Sequence, residues 1–528
     1  MPELTILLDH QTHRLVFTPG RSVRDVLEPT PYRVRSGCHG NGACGLCRIR
    51  ILAGDAGPVT TSEQLHLHED LLAQGVRLAC QVRPHEALSV EVLNPAPPSD
   101  WRATPEGFWQ RGEAREHDVM PDVVDVPRPC GVAVDIGTTN LSLSVFELEC
   151  GRWLADRWGR NPQAAHGSDF ISRLAAAAHS REIAAQMSAQ VVDALAEALQ
   201  DIAVHDGFDL RRIVRVVLVG NTAMLALLTG KHLARLLCPE YWSLPLECRP
   251  DDVAPWIARW QIHPHAQVEV VQPLAGFVGS DLLAGLVAVR LDDGDTPALF
   301  IDAGTNSEVA LWDGERLYVT ATAGGPAFET VGLGVPAEPG AIYRVTCNGQ
   351  LEFHTLESDQ ANGLCGSGLV DLMARLREKG ILNERGNLVG GEFRFSAGKR
   401  DMVLTKRDVD AFQRAKAAIG AAVSALCRTA DLHVDELQRI WIAGAFGRYL
   451  DITSAQAVGL VPKVSRERIM LAGNTALSGC ADLLLSTAAR QRLSRLRDRA
   501  GSVLNLAHDA DFARTFMEHL YLRPFTTP

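Results

Sequence analysis

The stretch GVAVDIGTTNLSLSVFELECGRWLADRW, residues 131–158, returns in outline as PALFIDAGTNSEVALWDGERLYVTAT, residues 297–322. Each copy has an apolar strand ending in Asp, a Gly-Thr turn, an alternating strand, a tight turn with Gly and a third strand. Because both the Asp-x-Gly-Thr core and the element order recur, the pair predicts two lobes of related fold rather than two unrelated meanders. From residue 130 to the end, strands alternate with long amphipathic helices, the pattern of an α/β fold.

No G-x-x-x-x-G-K-[ST] occurs anywhere, so this is not a P-loop protein. Asp135, Gly137, Thr138, Thr139 and Asn140, and again Asp302, Gly304, Thr305 and Asn306, offer a different polyphosphate site. A hairpin turn of Gly and Thr presents N–H groups and hydroxyls to phosphate oxygens, and the strand-end Asp can hold Mg2+ through water. One loop on each lobe, facing the other across a cleft, would clamp the β- and γ-phosphates. Other Gly-rich turns fit the same site. VVLVGNTAM offers Gly220, Asn221 and Thr222 between strand and helix, and LAGNTALSG (471–479) repeats that theme. GLCGSGLVD sets Gly366, Ser367 and Gly368 at a helix N-terminus, where anions bind well. WIAGAFG offers Gly444, Phe446 and Gly447 for a close approach to adenine or ribose. Each of these alone also reads as a tight strand-to-helix turn. Glu329, in GGPAFET, reads either as a residue that positions the attacking water or metal, or as a helix-starting acid.

The front of the chain carries different chemistry. Cys38, Cys44, Cys47 and Cys80 follow C-x5-C-x2-C-x32-C within SGCHGNGACGLC and RLACQVRP. Structural zinc usually takes two paired C-x2-C hooks, whereas here the fourth cysteine stands alone. Three thiolates on a Gly-rich loop and one distant thiolate suit a 2Fe-2S cluster, with a zinc knuckle as the alternative. Glycines 37, 40, 42 and 45 let N–H groups turn toward the sulfides. The first gap is one residue longer than in the plant-type spacing and resembles the other common ferredoxin class. His39, inside the loop, reads as surface. The other eight of the twelve cysteines are scattered and read as small buried apolar residues.

Around this loop, residues 1–94 read as a small β-rich module with a first hairpin, a strand CRIRIL and a closing strand ALSVEVL. Thr60 and Glu63 have the spacing of a capping box. Residues 95–129, rich in Pro and charge, read as a linker with one short helix. Residues 130–205 open the first lobe as a middle domain, and 206–528 form the C-terminal domain that carries the second Asp-Gly-Thr loop. A chain of 528 residues needs several domains, since single cores rarely exceed roughly 250–300 residues. Net charge −11 argues against nucleic acid or anionic membrane as the main partner. The best membrane candidate, IVRVVLVGNTAMLALLTG, contains Arg215 and Asn221 and reads as strand, turn and helix. With no signal peptide in view, the expected location is cytoplasmic.

With the second Asp-x-Gly-Thr loop, GLCGSG and AGAFG in order, residues 130–528 resemble the acetate and sugar kinase/Hsp70/actin (ASKHA) superfamily of ATPases. With the cysteine module in front, the whole chain resembles the reductive activators of corrinoid proteins. NPQ…GSDFISR (161–173), AGFVGSD (275–281), GPAFE and PGAI (339–342) carry the likeness further. The resemblance implies an α+β ferredoxin-like, β-grasp domain followed by a two-lobed α/β ATPase region, a duplicated RNase H-like fold. It implies ATP, Mg2+ and a 2Fe-2S cluster as cofactors, with Asp135, Asp302 and Glu329 as catalytic candidates. The implied task is to return an oxidised Co(II) corrinoid in a partner methyltransferase component to Co(I). An upstream reductase would feed the cluster, and the resemblance suggests a homodimer. Ala303, Ser307 and Ala445, and TAGG before GPAFE, depart from the usual pattern and bear on subtype and partner. DLHVDE (431–436) lacks the Gly of a corrinoid-carrier motif and reads as a capped turn. Two alternatives stay open: an ATP-coupled activator of another low-potential metalloenzyme, and a redox-sensing ASKHA kinase or chaperone-like protein. Dehydratase activators of the first kind carry a 4Fe-4S cluster, against the four-cysteine ferredoxin set seen here.

Overall fold

A computed structural model describes all residues except 1, 9–10, 37–39, 41, 43, 97–98, 100, 104–116, 119–125, 168, 305, 323–332, 336, 338–339, 357–360, 399, 445 and 526–528. The N-terminal module is a five-stranded sheet ordered β2-β1-β5-β3-β4. Its elements are β1 (Glu3–Leu8), β2 (Gln11–Val16), α1 (Val23–Leu27), β3 (Arg48–Ala53), α2 (Thr61–His66), α3 (Glu69–Ala73), β4 (Val76–Leu78) and β5 (Leu88–Val92). β1 pairs in parallel with β5, whereas their other sheet neighbours, β2 beside β1 and β3 beside β5, are antiparallel, which is the β-grasp crossover. Thr60 caps α2, and Glu63 reaches back to its N–H. Glu63 is itself buried and takes Arg77 at 2.8 and 2.9 Å, so the capping box also ties α2 to β4.

The middle region starts with the meander β6 (Cys130–Ile136), β7 (Asn140–Glu147) and β8 (Arg152–Arg160). Helices α4 (Phe170–His179) and α5 (Arg181–Asp206) follow, then β9 (Ile213–Gly220), α6 (Thr222–Thr229), α7 (Leu233–Leu236), α8 (Ala254–Trp260), β10 (Gln267–Val270) and α9 (Ser280–Ala288). The sheet order is β10-β9-β6-β7-β8. Part of the expected linker adds to its edge: Arg102 bridges Trp158, and Trp101 is buried against Gly159.

A second meander follows in β11 (Ala298–Ala303), β12 (Ser307–Trp312) and β13 (Leu317–Thr322). Beyond it lie β14 (Ala341–Asn348), β15 (Gln350–Thr355), β16 (Gly363–Leu364), α10 (Gly366–Glu378), β17 (Glu392–Ala397), β18 (Arg400–Thr405) and α11 (Lys406–Thr429). The chain ends in β19 (Arg439–Gly444), α12 (Ile452–Ala457), β20 (Ile469–Gly473), α13 (Thr475–Leu485), α14 (Thr487–Asp498), β21 (Ala500–Val503) and α15 (Phe512–His519). The sheet here runs β20-β19-β11-β12-β13-β21. Its first five positions repeat the middle region's order element for element. Fold duplication, read from the two Asp-Gly-Thr stretches, therefore holds at the level of sheet topology. The membrane-like stretch is β9, the Asn221 cap and α6, and no helix among the described residues is long and apolar enough to cross a membrane.

The described residues form two compact units. One holds Met1–His166, Ala185–Leu218 and Pro250–Glu269; the other holds Gly167–Ala184, Val219–Arg249 and Val270–Pro528. In the second unit α9 and α13 pack through small residues. A Cβ on Gly285 would sit 2.9 Å from Thr475 Oγ1, and one on Gly479 would overlap the Ala284 carbonyl. Backbone cannot yield as a side-chain tip can, and overpacking of this kind costs roughly 1–3 kcal/mol or more. Gly479→Ala is expected to lower the stability of the second unit by at least about 2 kcal/mol. Urea unfolding followed by tryptophan fluorescence checks this, with unchanged midpoints counting against it.

Candidate functional site

The cysteine loop is built for a bulky group. Cys47 and Cys80 are buried and Cys44 is half-buried, while Cys38 and His39 lie outside the described residues. Gly42 and Gly45 adopt φ of 78° and 66°, and the chain there is pressed close. A Cβ on Gly42 would lie 2.7 Å from Ser62 Oγ, and one on Gly45 2.9 Å from His66 Cβ. Gln81 Nε2 donates to Cys80 Sγ at 3.4 Å. A hydrogen bond with Cys80, then burial, pushes the Cys47 thiol far up. Sulfurs packed this closely stay protonated unless a metal supplies positive charge, so the donor set fits an iron–sulfur group.

The first phosphate loop belongs to the first unit. Strand β6 brings Asp135 to its end, opposite Ser142, and Gly137 to Asn140 make the turn. Asn161 closes the turn from β8's end: its Nδ2 donates to the Gly137 carbonyl at 2.9 Å and its N–H to the Thr139 carbonyl at 2.9 Å. Asn161 was not singled out from the sequence, although it begins NPQ.

The second loop, in the second unit, gathers more. β11 pairs with β12 so that Asp302 stands opposite Glu308 and Ala303 opposite Ser307. Gly304 N–H donates to the Asn306 carbonyl at 3.0 Å. Thr305, Ala445 and Glu329 lie outside the described residues. From β9 comes Asn221, which caps α6 with its Oδ1 and gives its Nδ2 to Glu308 Oε1 at 3.2 Å. Gly220 exchanges hydrogen bonds with Ser280 Oγ, at 3.2 and 3.4 Å. Asp281 stands one residue further, where a Cβ on Gly279 would overlap both its carboxylate and the Gly220 carbonyl. From β19 comes Gly444, at φ 76°, whose Cβ would strike Asp302 Oδ1. Only glycine lets that strand end pass the carboxylate.

Asp281, Asp302 and Glu308 are thus three carboxyls in one poorly hydrated place. Burial pushes Asp281 up to about 6, against the Leu282 N–H it accepts at 2.8 Å. Burial, then the Asp281 charge, pushes Asp302 up to about 7. Burial, then Asp281 and Asp302, raises Glu308 well above the ordinary range, despite the Asn221 amide. Ser307 Oγ is buried with no hydrogen-bond partner among the described residues. Clustered buried acids and a hydroxyl available to an acceptor both suit a magnesium nucleotide.

Other predicted residues turn out to be packing residues first. Thr222 gives its hydroxyl to the Ala275 carbonyl at 2.8 Å. Phe446 is 1% exposed and rests on Gly366, whose Cβ would fall 2.6 Å from its ring. Gly368 passes the Ile342 carbonyl, and Gly447 passes Gly473 with a Cβ distance of 2.5 Å to its N. These contacts set the first turn of α10 and the end of β19. Asp281 and Glu308 lie within the quoted stretches AGFVGSD and DAGTNSE, but neither was singled out as a site residue from the sequence.

Comparison with known proteins follows the same division. Three family models match in succession: the 2Fe-2S iron-sulfur cluster binding domain at residues 6–85, the RACo middle region at 130–294, and the C-terminal domain of RACo, the ASKHA domain, at 296–527. The corrinoid activation enzyme RamQ of Eubacterium limosum is 32% identical over 422 residues, covering 73% of this chain and 69% of its own. The Co(II) methylated amine-specific corrinoid protein reductase of Methanosarcina barkeri is 24% identical over 390 residues, 67% of this chain and 70% of its own. A solved structure of a reductive activator for corrinoid, iron-sulfur protein superposes over 99% of both chains with a TM-score of 0.65, at 24% identity.

A carboxyl raised in the folded state binds more protons there than in the unfolded chain. Stability therefore falls as pH climbs from about 4 through about 7, and it is fullest below that window. In nucleotide-free protein, Asp302→Asn is expected to melt higher than the parent at pH 8, by roughly 2–4 °C for each kcal/mol recovered. The gap should close at pH 4.5. A variant that melts lower at both pH values would remove the desolvation account.

Proposed function

We infer the function of this chain from its family: it belongs to the corrinoid-activating enzymes that join a 2Fe-2S domain and a middle region to an ASKHA domain. We propose that it is an ATP-dependent reductive activator that passes one electron to Co(II) of a partner corrinoid protein and restores Co(I). The single observation that carries the reading is the coexistence, in one chain, of the glycine-walled cysteine set and the desolvated Asp302–Glu308–Asp281 group.

Cys38, Cys44, Cys47 and Cys80 would hold the 2Fe-2S cluster, which supplies one-electron storage. Asp302, with Asp281 and Glu308, would hold Mg2+ through its waters, and the cation would lower all three carboxyls to their charged forms. Gly304, Thr305, Asn306 and the unpartnered Ser307 hydroxyl would meet phosphate oxygens, and Gly137 to Asn140 stay a candidate phosphate turn of the first unit by themselves. Asn221 holds Glu308 in place, and Glu308 Oε1 would take the proton of the water that attacks the γ-phosphorus. The bond from that phosphorus to the bridging oxygen breaks and ADP leaves. Glu329 stays a second candidate for orienting that water. Gly366 to Gly368, Gly444 and Gly447 would line the nucleoside side, with Phe446 supporting them from below.

The need for ATP follows from energetics. Moving one electron uphill costs roughly 2.3 kcal/mol per 100 mV. A complex tight enough to pull the electron across would not release its product, so hydrolysis is needed to reset it. The partner would be a corrinoid protein or corrinoid-dependent methyltransferase, the donor an upstream reductase, the setting the cytoplasm and the assembly a homodimer.

Reduced protein, mixed with a Co(II) corrinoid protein, is expected to develop the Co(I) absorption band only with ATP. Glu308→Gln should keep nucleotide affinity within a few-fold and lose about 10²–10⁴ in phosphate release, as expected for a lost general base. Equal Co(I) yields with and without ATP would end the coupling proposal.

A further inference from the structure

The module's apolar core is its own. Leu4, Ile6, Val23, Leu27, Cys47, Leu78, Cys80 and Val90 pack together, and every member of that cluster lies between residues 4 and 93. Against α5 and β8, in the same compact unit, the module presents charge instead. Arg33 grips Asp201 with both terminal nitrogens, at 2.9 and 2.8 Å. Arg157 of β8 also donates to Asp201, and reaches Asp206 at 2.8 Å. Arg24 meets Asp206 at 3.3 Å and Glu28 at 3.4 Å, and His205 Nε2 stands 3.1 Å from both oxygens of Glu28. All are buried or nearly so, with Arg157 2% and His205 1% exposed. Glu28, His205 and Asp206 come close enough to hold a metal, yet Arg24 and Arg157 already neutralise the carboxylates.

The lattice touches the cysteine set at two points. Ser36 N–H, two residues before Cys38, donates to the His205 carbonyl at 3.0 Å. Arg24 N–H donates to the Ala79 carbonyl, beside Cys80, at 3.0 Å. Burial of Glu28 is overcome first by Arg24 and then by His205, so its carboxyl sits well below the ordinary range and stays charged. Asp201, likewise, is held down against burial by Arg33 and Arg157.

We propose that Arg33, Arg24 and Glu28 of the module and Arg157, Asp201, His205 and Asp206 of the middle region are positioning residues for electron transfer. They seat the cysteine-bearing module on the C-terminal half of α5 in one register, through a contact that, among the described residues, is built on charge and is therefore separable. Fixed forks of Arg and carboxylate admit one geometry, whereas an apolar seam would slide. Parted surfaces of this kind are well hydrated, so the module can leave without exposing its core. The proposal rests on the electron-transfer reading for its purpose and on the contacts alone for its existence.

Hydrogen exchange of the full-length, cluster-loaded protein tests it, together with Co(II) reduction. Arg33→Ala and Asp201→Asn should each speed exchange more than tenfold in residues 23–28 and 198–206. Strands β1, β3 and β5, cluster absorption and basal ATPase should stay unchanged, while the rate of Co(I) formation drops more than tenfold. The double variant should be little worse than Asp201→Asn alone, because that change already removes the fork that Arg33 makes. Should Arg33→Ala fail to fold, Arg33→Lys keeps the charge and loses the fork, and the same pattern at smaller size is expected. Unchanged exchange at both faces overturns the proposal, as does loss of protection spreading through the module's own strands. A parent protein that forms no Co(I) at all would strike the functional reading and leave the docking result standing.

Discussion

Like charges in a poorly hydrated place cannot all ionise, and the second half of this chain is arranged around that constraint. Asp302 and Glu308 are opposed by the pairing of β11 with β12, and Asp281 arrives at the start of α9. Neither strand pairing nor helix position lets them separate. Glycines then keep side chains out at two points, Gly279 beside Asp281 and Gly444 beside Asp302. Such a group is destabilising in isolation and would become stabilising on the proposed binding of a divalent cation and phosphate. Binding free energy is thereby drawn into a site that the fold alone holds at a disadvantage.

Duplicated topology explains how the site could be built twice yet differ in character. Both sheets run as a three-strand meander with two later strands added at the side of the first. In each, the Asp ends the first strand and the turn follows it. The residue across the hairpin differs: Ser142 faces Asp135, whereas Glu308 faces Asp302. The acid pair therefore exists in one lobe only. In the other, an asparagine from the third strand's end, Asn161, braces the turn instead. Shared scaffold with unlike pairing suits division of labour between loops.

Much of this was legible in the sequence because it is local. Spacing alone marked Cys44, Cys47 and Cys80, and repeated strand–turn–strand order marked both Asp-Gly-Thr hairpins. Capping chemistry placed Thr60 with Glu63 and the turn at 433–436, where Glu436 reaches back to His433 N–H at 2.6 Å. What escaped has no local signature. Glu308 lies on a strand buried along its whole length, so no alternation sets it apart. Asp281 looks like any acid in a first helical turn. Arg33 and Asp201 are far apart in the chain, and on a helix of 26 residues an Asp at 201 reads as solvated surface until the fold brings a guanidinium to it.

The two chemistries ask opposite things of their surroundings, and the chain answers with two kinds of contact. A nucleotide site must be rigid enough to hold three reluctant carboxyls together, and the second unit supplies this through small-residue packing, as where α13 lies on α9 at Gly479. An electron carrier must meet both its donor and its acceptor, so it is better attached by a joint that is specific but not permanent. Buried ion pairs give that combination. Removing one partner strands the other at a cost of about 3–5 kcal/mol, yet parting both faces together rehydrates every charge at once. Had the module been fused to α5 through an apolar seam, parting would expose hydrocarbon and the carrier would stay put. A self-contained core between residues 4 and 93 and a charged face toward α5 are therefore two halves of one solution.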